Sequence, residues 1–330
     1  MERADPVSAV DSGGDDAVSQ GETVTGTRPN GPARNVDGLL VRPSQPGWEQ
    51  LARRTAHWGL VTAGRPIHRA RMLPGFLIVG AERCGTSSMF EVLRQHPAVF
   101  SAILPRKEVH YFDFQYDHGL AWYQCHFPLK ALASLTARGA GVAPVAFEAS
   151  PYYMFHPLAP ERINRDLPGV KLIAMLRDPV ARAYSSHVLR VGRGYETEPF
   201  ERALELEDSR LAGEAERLAA EPSYVSFNHR HFAYRGRGHY ADQLEHLEQI
   251  FGRERIHVID SGDFFANPEP VYDQVLDFLG LPAHTPTFER PSTRSRSPLS
   301  DTVRSELEEH FRPHDERLAA WLGHEPSWHR

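Results

Sequence analysis

The sequence predicts an α/β fold, a P-loop-like parallel β-sheet flanked by helices and organised as a single domain. Short apolar runs bounded by turn residues alternate with segments of helical period, which is typical of a parallel sheet covered by helices. Residues 76–89 read as a strand, a glycine-containing turn and a helix start. The 330 residues, 41% hydrophobic and 24% charged, are enough for one large core.

The amino-terminal part has the composition of a tail. Residues 1–45 are rich in Gly, Ser, Asp and Pro, and such a segment cannot bury enough apolar surface to offset its ordering entropy. We therefore expect a disordered tail over 1–45, an extension over 46–72 and the folded domain over 73–330. The tail is acidic and lacks an apolar stretch of signal or membrane-span length, so we expect a cytoplasmic protein without a membrane span.

Strands and helices are predicted in alternation along the domain. The region 193–233 is polar and acidic and predicts an inserted helical or mobile stretch rather than sheet. The predicted strands are Phe76–Val79, Ala143–Glu148, Lys171–Leu176 and Arg255–Asp260. The predicted helices are Ser87–Gln95, Pro179–Val191, His239–Phe251, Pro268–Leu279 and Thr302–Leu322.

Charge and cysteine content exclude several classes of protein. The formal net charge of -6 disfavours nucleic acid as a partner, because such binders cluster Lys and Arg to neutralise many phosphates. Cys84 and Cys125 are the two cysteines, too few for a disulfide framework or a zinc site, which suits a reducing compartment. We expect no metal.

The turn after the first strand has the residues of an anion site. Gly80 and Gly85 have the spacing of a phosphate-binding loop, where glycines let successive amides converge on one anion at a helix amino terminus. The Gly-Lys-Ser/Thr ending of nucleotide triphosphate loops is missing, because Thr86 follows Gly85 and the nearest cation is Arg83. Taken alone, the motif fits a glycine-containing β-turn equally well.

A second anion site is predicted at 171–186. An apolar strand ends at Arg177, Asp178 is a suitable N-cap, and Pro179 suits the first helical turn. Arg177 and Ser185 could hold one phosphate, the first through a charged fork and the second through its hydroxyl. An Arg177–Asp178 surface pair with a solvated Ser185 is the alternative. Two such sites indicate a ligand with phosphates at both ends.

Together these motifs resemble the sulfotransferases that use 3′-phosphoadenosine 5′-phosphosulfate (PAPS), in particular the branch of heparan sulfate sulfotransferases and their bacterial relatives. The resemblance extends from Phe76 to Leu322. It includes the segments Lys107-Glu-Val-His-Tyr-Phe-Asp113, Gly119-Leu-Ala-Trp-Tyr123, Glu148-Ala-Ser-Pro-Tyr152, Gly238-His-Tyr-Ala-Asp-Gln-Leu244 and Phe278-Leu-Gly-Leu281.

The resemblance implies roles in binding the donor. The loop would hold the 5′-phosphosulfate through Arg83, Cys84, Gly85, Thr86, Ser87 and Ser88. Arg177 and Ser185 would bind the 3′-phosphate, and Arg294 or Arg296, in the Ser- and Arg-rich segment 289–300, would close over the nucleotide. Arg83 and Ala149 stand where heparan-type members carry lysine, and the paired carboxy-terminal cysteines of those enzymes are absent. Heparan is therefore not the expected acceptor.

The implied reaction is an in-line transfer of sulfonate to a hydroxyl or amine of a small-molecule or carbohydrate-like acceptor, without a metal. It needs a base, positioning of the reactants and charge relief on the leaving oxygen. Glu108 is the expected base. In an extended segment His110 points to the same side, where it shares the proton network or holds the acceptor. If the strand continues, Asp113 points elsewhere, and it is expected to be a supporting residue. Arg83 and Lys107 would supply positive charge.

Two rival functions remain open at this point. One is a P-loop kinase acting on a small molecule, favoured by the two-glycine spacing and disfavoured by the missing Lys-Ser/Thr pair. The other is a non-catalytic nucleotide- or sugar-binding module. The presence of Glu108, His110 and Arg83 argues against the second.

Overall fold

A parallel sheet forms where the sequence has its apolar runs. In the computed structural model, which describes residues 55, 59, 61–103, 107–288 and 298–330, the strands are β1 Pro74–Gly80, β2 Val99–Ser101, β3 Val145–Ala149, β4 Lys171–Leu176 and β5 Ile256–Asp260. All pairings are parallel, in the order β2-β3-β1-β4-β5. Residues 76–80 and 172–176 are buried without interruption, as expected of strands covered on both faces.

Helices connect and cover the strands. The α-helices are α1 Thr86–Leu93, α2 Tyr111–Phe114, α3 Leu120–Gln124, α4 Lys130–Thr136, α5 Ala159–Asp166, α6 Pro179–Gly192, α7 Phe200–Leu211, α8 Glu214–Ala220, α9 Phe227–His231, α10 Tyr240–Phe251, α11 Ser261–Ala266, α12 Pro268–Leu279 and α13 Asp301–Leu322. Short 3₁₀ turns span Arg65–Ala70, Tyr116–His118, Ala137–Ala140, Gly236–Gly238, Arg253–Arg255 and Ser327–His329.

The predicted fold class is confirmed. β4 and α12 have the predicted bounds, and the other predicted elements differ by one or two residues at an end. The three-residue β2 was missed because so short a run carries little periodicity. The region 193–233 contains the helices α7, α8 and α9 and no strand. The predicted tail over 1–45 lies outside the described residues, and none of the described helices is long and apolar enough to cross a bilayer.

The topology decides where a ligand can bind. From the central strand β1 the chain leads to β2 and β3 on one side and then to β4 and β5 on the other. In open parallel sheets ligands bind beyond the carboxyl ends of the strands, where the strand order reverses. The predicted loop at 80–88 and the predicted site at Arg177 follow β1 and β4, two neighbouring strands, at that edge.

Candidate active site

The loop after β1 has the geometry of an anion-binding turn. Gly85 has φ 92°, a conformation that favours glycine, and a Cβ added there would lie 2.9 Å from Cζ of Phe265, so the Phe265 ring would have to shift. Helix α1 begins at the next residue, Thr86. The amides of the loop and of the first helical turn therefore lie at a helix amino terminus, where partial positive charge favours an anion.

Lys107 supplies the ammonium that the loop sequence lacks. Its Nζ donates hydrogen bonds of 3.0 Å to Oγ1 of Thr86 and of 3.0 Å to Oγ of Ser87. Burial lowers the pKa of Lys107, and the carboxylate of Glu108 partly offsets this effect. A lysine twenty-one residues beyond Thr86 thus provides a cation at the first turn of α1.

Glu108, His110 and Asp113 form a hydrogen-bonded chain beside that lysine. Nε2 of His110 lies 3.1 Å from Oε2 of Glu108, and Nδ1 lies 2.6 Å from Oδ2 of Asp113. Burial alone would lower the pKa of His110, but the charges of Asp113 and Glu108 outweigh it and raise the pKa to about 10. The chain therefore holds an imidazolium between two carboxylates at neutral pH.

The pKa of Glu108 shifts in the opposite direction. Burial alone would raise it, but the hydrogen bond and charge of His110 and the charge of Lys107 lower the pKa of Glu108 to about 2. The Glu108 side chain is still 42% exposed. Glu108 is thus an ionised, solvent-accessible carboxylate at neutral pH, the form that can accept a proton.

The expectation of an extended segment through Asp113 is wrong. His110 has φ 55°, and the short helix α2 begins directly after it. That turn brings the Asp113 side chain back to the His110 ring, because residues three apart in a helical turn lie on one face. Asp113 thus belongs to the site as the group that orients His110.

The backbone departs from its ordinary conformations at two of the predicted catalytic residues. Among the described residues, the non-glycine residues with positive φ are Arg83, at 71°, and His110, at 55°. A side chain in this region costs about 1–2 kcal/mol, and such conformations cluster at functional sites. The fold therefore retains unfavourable backbone conformations where the chemistry is predicted.

Glu148 holds the catalytic segment in place. Its buried carboxylate accepts hydrogen bonds from the amide of Val109 at 3.0 Å, the Ser150 hydroxyl at 2.6 Å, and the hydroxyls of Tyr123 and Tyr153 at 2.9 and 2.8 Å. Burial raises its pKa. In the sequence Glu148 stands out only as part of a motif, since nothing in residue type shows that four donors converge on one acid.

An ion cluster within the loop was also missed. Glu82 accepts hydrogen bonds from Arg190 at 2.6 Å and from Arg237 at 2.5 Å, and both arginine side chains are at most 5% exposed. Burial alone would raise the pKa of Glu82, but these two guanidinium groups hold it far below its usual range. The sequence did contain one indication of this cluster. An acid inside a loop that binds anions needs cationic partners, and these must come from elsewhere in the fold.

The two predicted anion sites are joined directly. Nε of Arg83, in the loop, donates a hydrogen bond of 3.0 Å to Oγ of Ser185 in α6. The predicted cap of α6 is confirmed, because the Asp178 carboxylate accepts from the amide of Val180 at 2.9 Å. Arg177 precedes this cap, and its carbonyl accepts from the hydroxyl of Tyr240 at 2.9 Å. Arg294 and Arg296 lie outside the described residues.

Comparison with known proteins identifies relatives. Human heparan sulfate glucosamine 3-O-sulfotransferase 5 is 29% identical over 214 residues, covering 64% of this chain and 55% of the relative. The membrane-associated sulfotransferase kil1 of Dictyostelium discoideum is 24% identical over 324 residues. The chain spans between about half and two thirds of the length of these two relatives.

One solved structure supports the same family. The crystal structure of a sulfotransferase from Alicyclobacillus acidocaldarius has 30% sequence identity and a TM-score of 0.59, and the match covers 78% of this chain and 100% of that chain. A family model described as a sulfotransferase domain matches residues 73–308. The chain therefore belongs to the sulfotransferase family.

Proposed function

We propose that this protein transfers a sulfonate group from PAPS to a hydroxyl or amine of a small-molecule or carbohydrate-like acceptor. The observation that carries the proposal is the contact of Lys107 with the hydroxyls of Thr86 and Ser87. Through this contact an ionised carboxylate, Glu108, is held beside a loop suited to an anion. Proton removal and anion binding can then act on one pair of reactants.

The described residues suit a donor with phosphates at both ends. The amides from Cys84 to Ser88 would hold the 5′-phosphosulfate at the start of α1. Arg177 and Ser185 would hold the 3′-phosphate, and Arg83 would reach both ends because its guanidinium already contacts Ser185. Arg294 and Arg296 stay candidates for closing over the nucleotide.

Each group of the catalytic segment has a part in the transfer. Glu108 would remove the proton from the acceptor as its oxygen or nitrogen attacks sulfur. His110, held by Asp113, would keep the Glu108 carboxylate in position and take part in the proton network. Lys107 and Arg83 would stabilise the negative charge that develops on the leaving phosphate oxygen.

The acceptor is proposed to differ from heparan. The names of the human relatives specify the glucosamine of heparan sulfate, but Ala149 is fully buried and offers no charge where heparan-type enzymes carry lysine. Incubation with labelled PAPS and a panel of hydroxylated sugars, lipids and metabolites, followed by mass spectrometry, tests the activity. We expect one added sulfonate on a member of the panel. Label transfer from Mg-ATP instead would support the kinase.

The free thiols support a reducing location. Cys84 and Cys125 are both buried and free, as is usual for proteins of the cytoplasm. We therefore propose the cytoplasm as the place of action. Localisation of the tagged full-length protein in its native host tests this, and recovery from an oxidising compartment would contradict it.

Substitution of Arg177 tests the 3′-phosphate site. We expect Arg177→Ala to weaken binding of 3′-phosphoadenosine 5′-phosphate roughly 10- to 100-fold, because a hydrogen bond to a charged group contributes about 1.5–3 kcal/mol. Isothermal titration measures the dissociation constant. Arg202→Ala is the matched control, because that arginine is 54% exposed and pairs with Glu205 in its own helix. An unchanged constant for Arg177→Ala would contradict the assignment.

The pH dependence tests the coupling of Glu108 to His110. Glu108 must be ionised to act as a base, and its pKa of about 2 keeps it ionised over the whole pH range of the measurement. His110→Gln removes the main lowering influence while burial remains, so the pKa of Glu108 should rise and an acid limb should appear. The measurement is kcat/KM from about pH 4 to about pH 9.

The matched control for this pH profile is a second histidine–glutamate pair. His246 lies 3.3 Å from Glu161, with both side chains well exposed, so His246→Gln should leave the profile as in the wild type. An acid limb at the same pH in His110→Gln and wild type would show that His110 does not control the ionisation of Glu108.

A further inference from the structure

Three histidines from two helices meet outside the site described above. His239 immediately precedes α10, and His310 and His314 lie on α13, four residues apart and therefore on one helix face. Nitrogen atoms of the three rings all lie within 4.8 Å of one another, and the three residues are partly buried. None of them contacts the catalytic segment in the hydrogen bonds described above.

The three rings lie close together, but not all of their buried nitrogen atoms have a hydrogen-bond partner. Nε2 of His239 lies 3.0 Å from Nε2 of His310, and the rings of His239 and His314 stack with centroids 3.7 Å apart and planes 5° apart. Nδ1 of His314 is buried without a hydrogen-bond partner. A buried polar nitrogen without a partner is unfavourable, and a ligand that approached this nitrogen would supply one.

Charged side chains of both signs lie near the cluster. The positive charge of Arg235 lies near His239 and His310. The negative charge of Asp242 lies near His239, and that of Asp208 lies near His310. Arg235 is itself paired with Asp208, at 2.9 Å, and with Glu207, at 3.5 Å. Arg235 is therefore not an unpaired cation beside the imidazoles, whose neutral form binds metals.

We propose that His239, His310 and His314 bind one divalent transition-metal ion of the zinc type. Imidazole nitrogen is a preferred ligand of such ions, and three protein ligands leave a further position for water. An imidazole binds a metal in its own ring plane, so one of the two stacked rings turns when the ion enters. The ion joins the start of α10 to the middle of α13.

This metal is separate from the sulfonate transfer, for which the sequence predicts no metal. Its consequence for the fold is local. His239 precedes Tyr240, whose hydroxyl donates to the carbonyl of Arg177, so the ion fixes the start of the helix that supports the proposed 3′-phosphate site. The proposal does not depend on the proposed activity, because its test measures metal binding.

The experiment uses the full-length, tag-free protein after removal of metals by a chelator. Isothermal titration calorimetry with zinc chloride should show one ion per chain. The expected dissociation constant is in the micromolar range or below, and a micromolar constant corresponds to roughly 8 kcal/mol of binding free energy. Cobalt(II) should give visible absorption bands typical of nitrogen ligands in a site of low coordination number. The double substitution His310→Ala and His314→Ala should abolish both signals.

His246→Ala is the control, because His246 is exposed and lies on α10, the helix that begins directly after His239. This variant should bind zinc like the wild type. Far-UV circular dichroism checks that each variant is folded. Should the double variant misfold, His310→Gln serves instead and is expected to weaken zinc binding at least about tenfold. Absence of a stoichiometric zinc site in the wild type, or equal affinity in the folded variant, would overturn the proposal.

Discussion

Replacing Glu108 by Gln is expected to reduce turnover by roughly 10² to 10⁴ while leaving nucleotide binding nearly intact. The substitution keeps the shape of the side chain and removes its ability to accept a proton. The hydroxyls of Thr86 and Ser87 keep their contacts with Lys107, so the loop keeps its cation. Only the proton-accepting step is then lost.

The measurement combines kcat from single-acceptor kinetics with the dissociation constant of 3′-phosphoadenosine 5′-phosphate. Glu161→Gln is the control, since Glu161 also contacts a histidine, His246, but is 52% exposed. Wild-type turnover in Glu108→Gln would remove the assignment of the base. Equal losses of turnover and nucleotide affinity would instead assign Glu108 to binding.

The second large effect is expected on stability. Glu82→Gln leaves Arg190 and Arg237 buried without their counter-charge, and breaking a buried pair in this way costs about 3–5 kcal/mol. Glu82 pairs with both guanidinium groups at once, at 2.6 and 2.5 Å. The predicted loss is therefore much larger than for an ordinary surface acid.

Urea denaturation of the wild type and the variant gives the free energy of unfolding. Glu91→Gln is the matched control, because Glu91 also pairs with an arginine, Arg94, but its side chain is 59% exposed. An exposed pair of this kind contributes about 0–1 kcal/mol. A loss in Glu82→Gln no larger than in Glu91→Gln would show that Arg190 and Arg237 do not depend on this carboxylate.

The order of the elements and the loop were accessible from the sequence. Buried parallel strands are continuous apolar runs, and Asp178-Pro179 marks a helix start through the chemistry of its cap, so β4 and the start of α6 were located correctly. Local sequence also located Gly85, because Gly80 and Gly85 have the spacing of a phosphate-binding loop. These features depend on neighbours within a few residues.

Contacts between distant segments were decided only by the tertiary structure. Lys107 reaches Thr86, Arg190 and Arg237 reach Glu82, and the hydroxyl of Tyr123 reaches Glu148. The turn at His110, with φ 55°, was wrongly predicted as extended. The His110 amide donates to the Ser150 hydroxyl at 3.2 Å, and Ser150 directly follows β3, which comes later in the chain. Alternation in the sequence cannot show such a restraint, since it records local periodicity and not the partners that the sheet brings to one edge.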